Sequence, residues 1–249
     1  MSTDSDVLLN DFAIRSFRDV ADSDYIVARM AYRAHLVPQF LWSGLQAIEK
    51  YLKCTLLLNR IPAHGVRHSL SSGLSLLEKS APFKVRLSQP SRDLIDHLDA
   101  YGQYRYLEIS YFVKGMELPR LDKAVWELRR YCQKLNLEIT FKDGTRKSML
   151  DVNLRHIEAS ESRPYHKFRL IGGVLETILS KKTDPRREAL MWQNFCFGSR
   201  ERKKIRFTKL LHASNSPLSL HPEILDEVLK YVHMPAPVVK AFRASRSKK

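Results

Sequence analysis

Between residues 24 and 135 the apolar side chains return at helical intervals. In "QFLWSGLQAIEKYLKCTLLLN", residues 39–59, Leu41, Leu45, Ile48, Leu52 and Leu56 follow steps of four, three, four and four, which draws one apolar face along a helix. Opposite lie Gln46, Glu49, Lys50 and Lys53, with Glu49 preceding Lys53 in the favourable i,i+4 order. Gly44 costs about 1 kcal/mol inside a helix. Close approach of a neighbouring helix offsets that cost, so Gly44 and Ala47 mark a tight helix–helix contact. Pro38 opens this helix and closes the preceding one, "SDYIVARMAYRAHL".

The same period predicts further helices in "HSLSSGLSLLEK", in "SQPSRDLIDHLDAYGQYRYLEIS" with Ser91 as N-cap, and in "RLDKAVWELRRYCQKL". In the last of these Leu121, Val125, Leu128 and Cys132 share a face. Short connections between five helices predict a mainly antiparallel bundle. The pattern then changes: "LEITFKDGTRKSM" carries β-branched residues around Asp143-Gly144, a hairpin signal. Helical spacing resumes in "HKFRLIGGVLETILSK", in "DPRREALMWQNFCFG" with Asp184 as N-cap and Gly198 as stop, and in "HPEILDEVLKYVH". The reading is an all-α fold: an up-and-down antiparallel helical bundle, a short β-hairpin and a helical C-terminal extension. Its expected divisions are an N-terminal segment (1–23), the bundle (24–135), a linker with the hairpin (136–165), a basic helical domain (166–242) and a disordered basic tail (243–249).

Composition sharpens this picture in three ways. A chain of 249 residues with 44% hydrophobic content can fill a core. Three widely spaced cysteines, Cys54, Cys132 and Cys196, make no disulfide framework and no zinc knuckle, and read as reduced core residues. The opening "MSTDSDVLLNDFAIRSF" lacks the basic flank and apolar run of a signal peptide, and no apolar stretch is long enough to span a bilayer. The expectation is a cytoplasmic protein without a membrane partner. Charge is the most uneven property: the net +15 is carried mainly by residues 136–249, with 23 Lys/Arg against 12 Asp/Glu. Such a field attracts phosphate polymers and other polyanions.

The segment "WSGLQAIEKYLKCTLL" is similar to the aromatic–small–x–x–Gln-Ala-x-Glu-Lys core helix of the HEPN domains (higher eukaryotes and prokaryotes nucleotide-binding). The resemblance extends through His68-Ser69-Leu70, Arg105-Tyr106 and "LDKAVWELRRYC", over about residues 20–135. It implies a small up-and-down bundle, a homodimer, and work in nucleotide or RNA chemistry, toxin–antitoxin pairs or host defence. A nucleotidyltransferase-like antitoxin, absent from this sequence, would be a separate chain. It also implies that Gln46, Glu49, Lys50 and Lys53 form an exposed edge that meets a nucleotide or a second subunit.

Catalytic HEPN domains cleave RNA with an Arg-x(4–6)-His pair, in which imidazole moves protons and guanidinium stabilises the phosphorane. Three pairs fit the spacing, Arg29…His35, Arg92…His97 and Arg206…His212, against about 2.5 expected from random placement of these residues. Arg92 and His97 are the candidate catalytic pair because Asp93 follows the arginine, as in the family. The pair begins the fourth helix rather than lying near the bundle's end, which departs from the family pattern. No spacing points to a metal or another cofactor: His64 and His68 lie a turn apart with Gly65 between them and no third ligand nearby. The candidate nucleic-acid-binding residues are Arg200, Arg202, Lys203, Lys204, Arg206 and Lys209, against the single Glu201 and interleaved with Phe195, Phe197 and Phe207. Three functions follow, in order: an RNA- or polyanion-binding protein, a metal-independent endoribonuclease, and a non-catalytic adaptor.

Overall fold

A computed structural model describes residues 4–104, 107–160, 171–197 and 212–246. The fold is all-α with a few short strands. Helix α1 (Asp4–Ala13), a π-helical turn (Ile14–Arg18) and α2 (Asp19–Arg33) run on without interruption, so most of the expected N-terminal segment is part of the first long helix. Then come α3 (Val37–Leu58), α4 (Leu70–Ser80), α5 (Gln89–Tyr101), strand β1 (Tyr111–Val113) and α6 (Glu117–Arg129). Strands β2 (Glu138–Thr140) and β3 (Arg146–Ser148) pair antiparallel about Gly144, which adopts φ +84° as the Asp-Gly turn requires. The chain continues through α7 (Leu150–Ala159), α8 (Val174–Ser180), α9 (Arg186–Met191), β4 (His212–Ser214), α10 (Pro217–Leu220), α11 (Leu225–Val228) and α12 (Ala236–Arg246). Among the described residues no helix is long and apolar enough to cross a membrane.

Helix α3 is the axis of the bundle, touching α1, α2, α4, α5 and α6. A Cβ built on Gly44 would lie 3.4 Å from Leu98 of α5 and 3.7 Å from Leu121 of α6. The small-residue spot is therefore the close contact that its sequence predicts, and it is made within one chain. Crowding on all sides also corrects the expected exposed edge: Glu49 is buried, and Gln46, Lys50 and Lys53 are half-buried.

Other boundaries differ for local reasons. The N-cap position of α5 is Ser88, with Pro90 in the first turn, and Ser91 is buried one turn inside. Helix α4 is capped by Ser69, whose hydroxyl accepts from the Ser72 N–H, and by the Asp99 carboxylate, which accepts the Leu70 and Ser71 N–H groups at 2.8 and 3.1 Å. The segment expected as a helix through Gly172-Gly173 is not helical at these two glycines: α8 starts at Val174, and residues 166–170 lie outside the described residues. The last expected helix breaks into a 3₁₀ turn (Pro222–Ile224) and α11, while residues 243–246, expected to be disordered, complete α12.

The expected boundary between bundle and basic extension does not separate two cores. Leu175, Ile178, Leu179, Ala189, Leu190 and Phe197 belong to the same buried cluster as the bundle. Two charge knots fasten them. Arg129 grips Asp22 with Nε and Nη2 (2.7 and 2.8 Å) and Glu176 with Nη1 and Nη2 (2.6 and 2.7 Å), while the Tyr51 hydroxyl donates to Asp22 at 2.7 Å. Arg29 pairs with Asp122 and donates to the carbonyls of Ala189 (2.8 Å) and Trp192. Gly173 lies so close to the first knot that a Cβ there would sit 2.7 Å from the Arg129 Nη2.

Candidate nucleic-acid interface

Arg92 and His97 both lie on α5. Five residues apart, they are separated by about 140° around the helix axis, so one chain does not bring them together. Arg92 faces α4 and pairs with Glu78. His97 faces the other way, its ring 4.8 Å from Tyr101 and 5.4 Å from Phe112 of β1. A ribonuclease built on this pair requires Arg92 and His97 from different subunits.

His97 instead meets other cations. Burial, with the nearby charges of Arg120 on α6 and Lys114 after β1, holds its imidazole below the ordinary histidine range. Its Nε2 is buried without a hydrogen-bond partner. Lys114 Nζ stands 5.3 Å from the centre of the Phe112 ring, and Phe112 and Tyr101 pack edge to face at 5.5 Å. Among the described residues, neither the Arg120 guanidinium nor the Lys114 ammonium forms a salt bridge or a side-chain hydrogen bond. The acidic neighbour is Glu117 at the start of α6; burial raises its carboxyl pKa, and one of its oxygens has no partner. Tyr32, beside it, is pushed up to about 12 by burial and by Glu117.

The basic candidates Arg200, Arg202, Lys203, Lys204, Arg206 and Lys209 lie outside the described residues, as do Arg105, Tyr106 and Phe207. The flanks of the basic stretch are placed. On one side Asn194 Oδ1 accepts the Cys196 and Phe197 N–H groups at 3.0 Å, and Phe197 is buried between Tyr25 and Trp126. Phe195 remains half exposed. On the other side β4 pairs antiparallel with β1, setting His212 opposite Val113 and Ala213 opposite Phe112, with the His212 ring 6.2 Å from Tyr111. The described chain thus resumes at β4, beside the strand that carries Phe112.

The polar row of α3 is a hydrogen-bonded chain. Lys50 Nζ donates to Asp24 (2.7 Å) and to Gln46 (2.9 Å), Gln46 donates to Glu49 (3.5 Å), and Lys53 donates to Glu49 (2.5 Å). His68 Nδ1 meets both Glu49 oxygens at 3.1 and 3.3 Å. The residues that carry the family resemblance thus satisfy one another. Of the remaining Arg-His spacings, Arg29 is buried in its knot, and Arg206 lies outside the described residues.

Cys54 and Cys132 are buried free thiols and Cys196 is half-buried. Among the described residues, no group of three or more His, Cys, Asp or Glu could hold a metal ion.

Sequence reasoning missed Lys114, Arg120, Tyr101 and Phe112 because they come from three separate elements and share no motif. The pairing of an aromatic with a basic residue two positions on, Phe112 and Lys114 in "YFVK", was the available signal.

In comparison with known proteins, the chain matches no family model, no curated protein and no solved structure.

Proposed function

We propose that the chain binds single-stranded RNA, or a polyanion of similar chemistry, across the face made by α5, β1 and the start of α6. The observation that carries this reading is the pair of cations without a salt bridge among the described residues, Lys114 and Arg120, set beside the edge-to-face and tilted rings of Tyr101, Phe112 and His97, with the buried Glu117 as their nearby carboxyl. Cations neutralise backbone phosphates and release counterions, while rings accept unpaired bases. The β1–β4 pairing supports it by setting His212, three residues after Lys209, beside the same edge. The net charge of +15 and the resemblance to HEPN domains point the same way.

Replacing Tyr101 with Ala tests the stacking half of the reading. Loss of one base–aromatic stack removes about 1–3 kcal/mol of affinity, roughly 5- to 150-fold, without changing the salt dependence. Fluorescence anisotropy of a labelled single strand reads both quantities. Unaltered affinity in a folded variant would count against the site.

A further inference from the structure

The β2–β3 hairpin stands clear of the core: every residue from Asn136 to Ser148 is exposed. Its base is fixed, with Asn153 Nδ2 donating to the Leu135 carbonyl at 2.7 Å and Ser148 Oγ donating to Asn136 Oδ1 at 2.8 Å. Side chains alternate along a strand, so Leu137, Ile139 and Phe141 share one face. They are 51%, 43% and 50% exposed. The register adds Lys147, opposite Ile139, to that face and leaves Glu138, Thr140, Arg146 and Ser148 on the reverse. The ribbon is thus amphipathic, with its apolar row, about 13 Å long, turned to water rather than to the core. A two-stranded ribbon gains little from its own pairing, which does not offset that exposure.

We propose that this ribbon lays its apolar row into the surface of a bilayer with anionic headgroups. Charge complementarity selects this occupant. Among the described residues Lys142, Arg146 and Lys147 form no salt bridge. Asp143 is occupied within the turn, its carboxylate accepting the Thr145 N–H at 3.0 Å and hydroxyl at 2.6 Å, which leaves Glu138 as the ribbon's other carboxylate. Lys142 and Lys147 flank the row, and their long stems let Ile139 and Phe141 sink while the ammonium groups stay among the headgroups. Leu137 and Ile139 present no flat ring for a base to stack on, whereas the acyl boundary takes aliphatic and aromatic side chains alike, which favours lipid over nucleic acid. The net +15 of the chain adds attraction to an anionic leaflet. A ribbon of this size rests on one leaflet and calls for no spanning helix; among the described residues no helix is long and apolar enough to be one.

Co-sedimentation with vesicles of phosphatidylcholine, with and without phosphatidylserine, tests the proposal. Wild type is expected to sediment with the mixed vesicles and to stay in solution with phosphatidylcholine alone. Because a chain of net charge +15 is drawn to anionic vesicles by charge alone, the deciding variant is Ile139→Ser/Phe141→Ser, which keeps every charge. It is expected to lower the partition coefficient about a hundredfold or more, as two side chains lose their burial. Lys142→Gln/Lys147→Gln should lower it about fivefold per cation.

Phe141→Trp reads the insertion in an intact ribbon. Acyl-brominated lipids are expected to quench its fluorescence beyond the quenching of Trp42, Trp126 and Trp192 in wild type. The proposal is overturned by a wild type that sediments with neither vesicle or equally with both, by an Ile139→Ser/Phe141→Ser variant that sediments like wild type, or by Phe141→Trp fluorescence that brominated lipid leaves unmoved. Weaker RNA binding by Ile139→Ser/Phe141→Ser with vesicle binding unchanged would assign the ribbon to nucleic acid instead.

Discussion

Two regions of this protein are rich in arginine and oppose each other in how that arginine is used. In the knots between α2, α6 and the α8–α9 segment, Arg29 and Arg129 are almost fully buried and every guanidinium edge finds an acceptor. On the α5–β1 face, Arg120 and Lys114 have no acceptor among the described residues, and the imidazole beside them is held neutral. The first arrangement closes on itself and can only hold chain to chain. The second is the face proposed to meet a ligand. Net charge counts both kinds equally, yet the buried arginines contribute nothing to recruiting a polyanion.

The comparison breaks hardest at Arg129. Replacing it with Met leaves the Asp22 and Glu176 carboxylates buried without their counter-ion, and the expected loss is about 3–5 kcal/mol in urea denaturation. A loss below about 1 kcal/mol would mean that water reaches the knot, contrary to its burial. Gly173→Ala probes the same knot from the backbone side. Its Cβ would press on the Arg129 Nη2, with an expected cost of about 1–3 kcal/mol. Gly172→Ala meets nothing within 4 Å and serves as the near-neutral control. Equal stabilities of the two variants would contradict the described packing.

A smaller effect separates the regions by pH. The folded-state pKa of His97 lies below its unfolded value of 6.5, so the unfolded chain takes up the proton first as pH falls. Above that value the imidazole is neutral in both states and costs nothing; below it, stability falls until the folded-state pKa is passed. Urea midpoints measured between pH 7 and pH 5 should therefore drop more in wild type than in His97→Gln. Identical pH profiles would show that His97 is not held neutral.

Much of this architecture is legible in the chain. The step pattern of α3, the tight contact at Gly44 and the Asp143-Gly144 hairpin follow from spacing and turn chemistry, which are local properties. The helical course of residues 4–22 was missed because the outward Val7, Leu8, Phe12 and Val20 blur the single-face pattern that marks a surface helix, whereas residues 23–36 read as helical. The shared core of bundle and extension was missed for a different reason. It depends on Asp22 meeting Arg129 and Glu176 across more than a hundred residues, and sequence spacing carries no trace of such a meeting. The proposed recognition face is hidden in the same way, since α5, β1 and α6 each supply a part. Arg92 and His97 satisfy a linear motif while facing apart, because a spacing of five is the wrong one for sharing a helix face.

The salt dependence of single-strand binding tests the central claim most directly. Anisotropy titrations at several salt concentrations would compare wild type, Lys114→Gln/Arg120→Gln, and a variant with Arg202, Lys203, Lys204 and Arg206 all changed to Gln. With about 0.7 of a slope unit per phosphate contact on single strands, the double variant should flatten log K against log salt by about 1.4, and the quadruple variant by about 3. A double variant that binds with the wild-type slope would contradict the assignment of Lys114 and Arg120 to the phosphates.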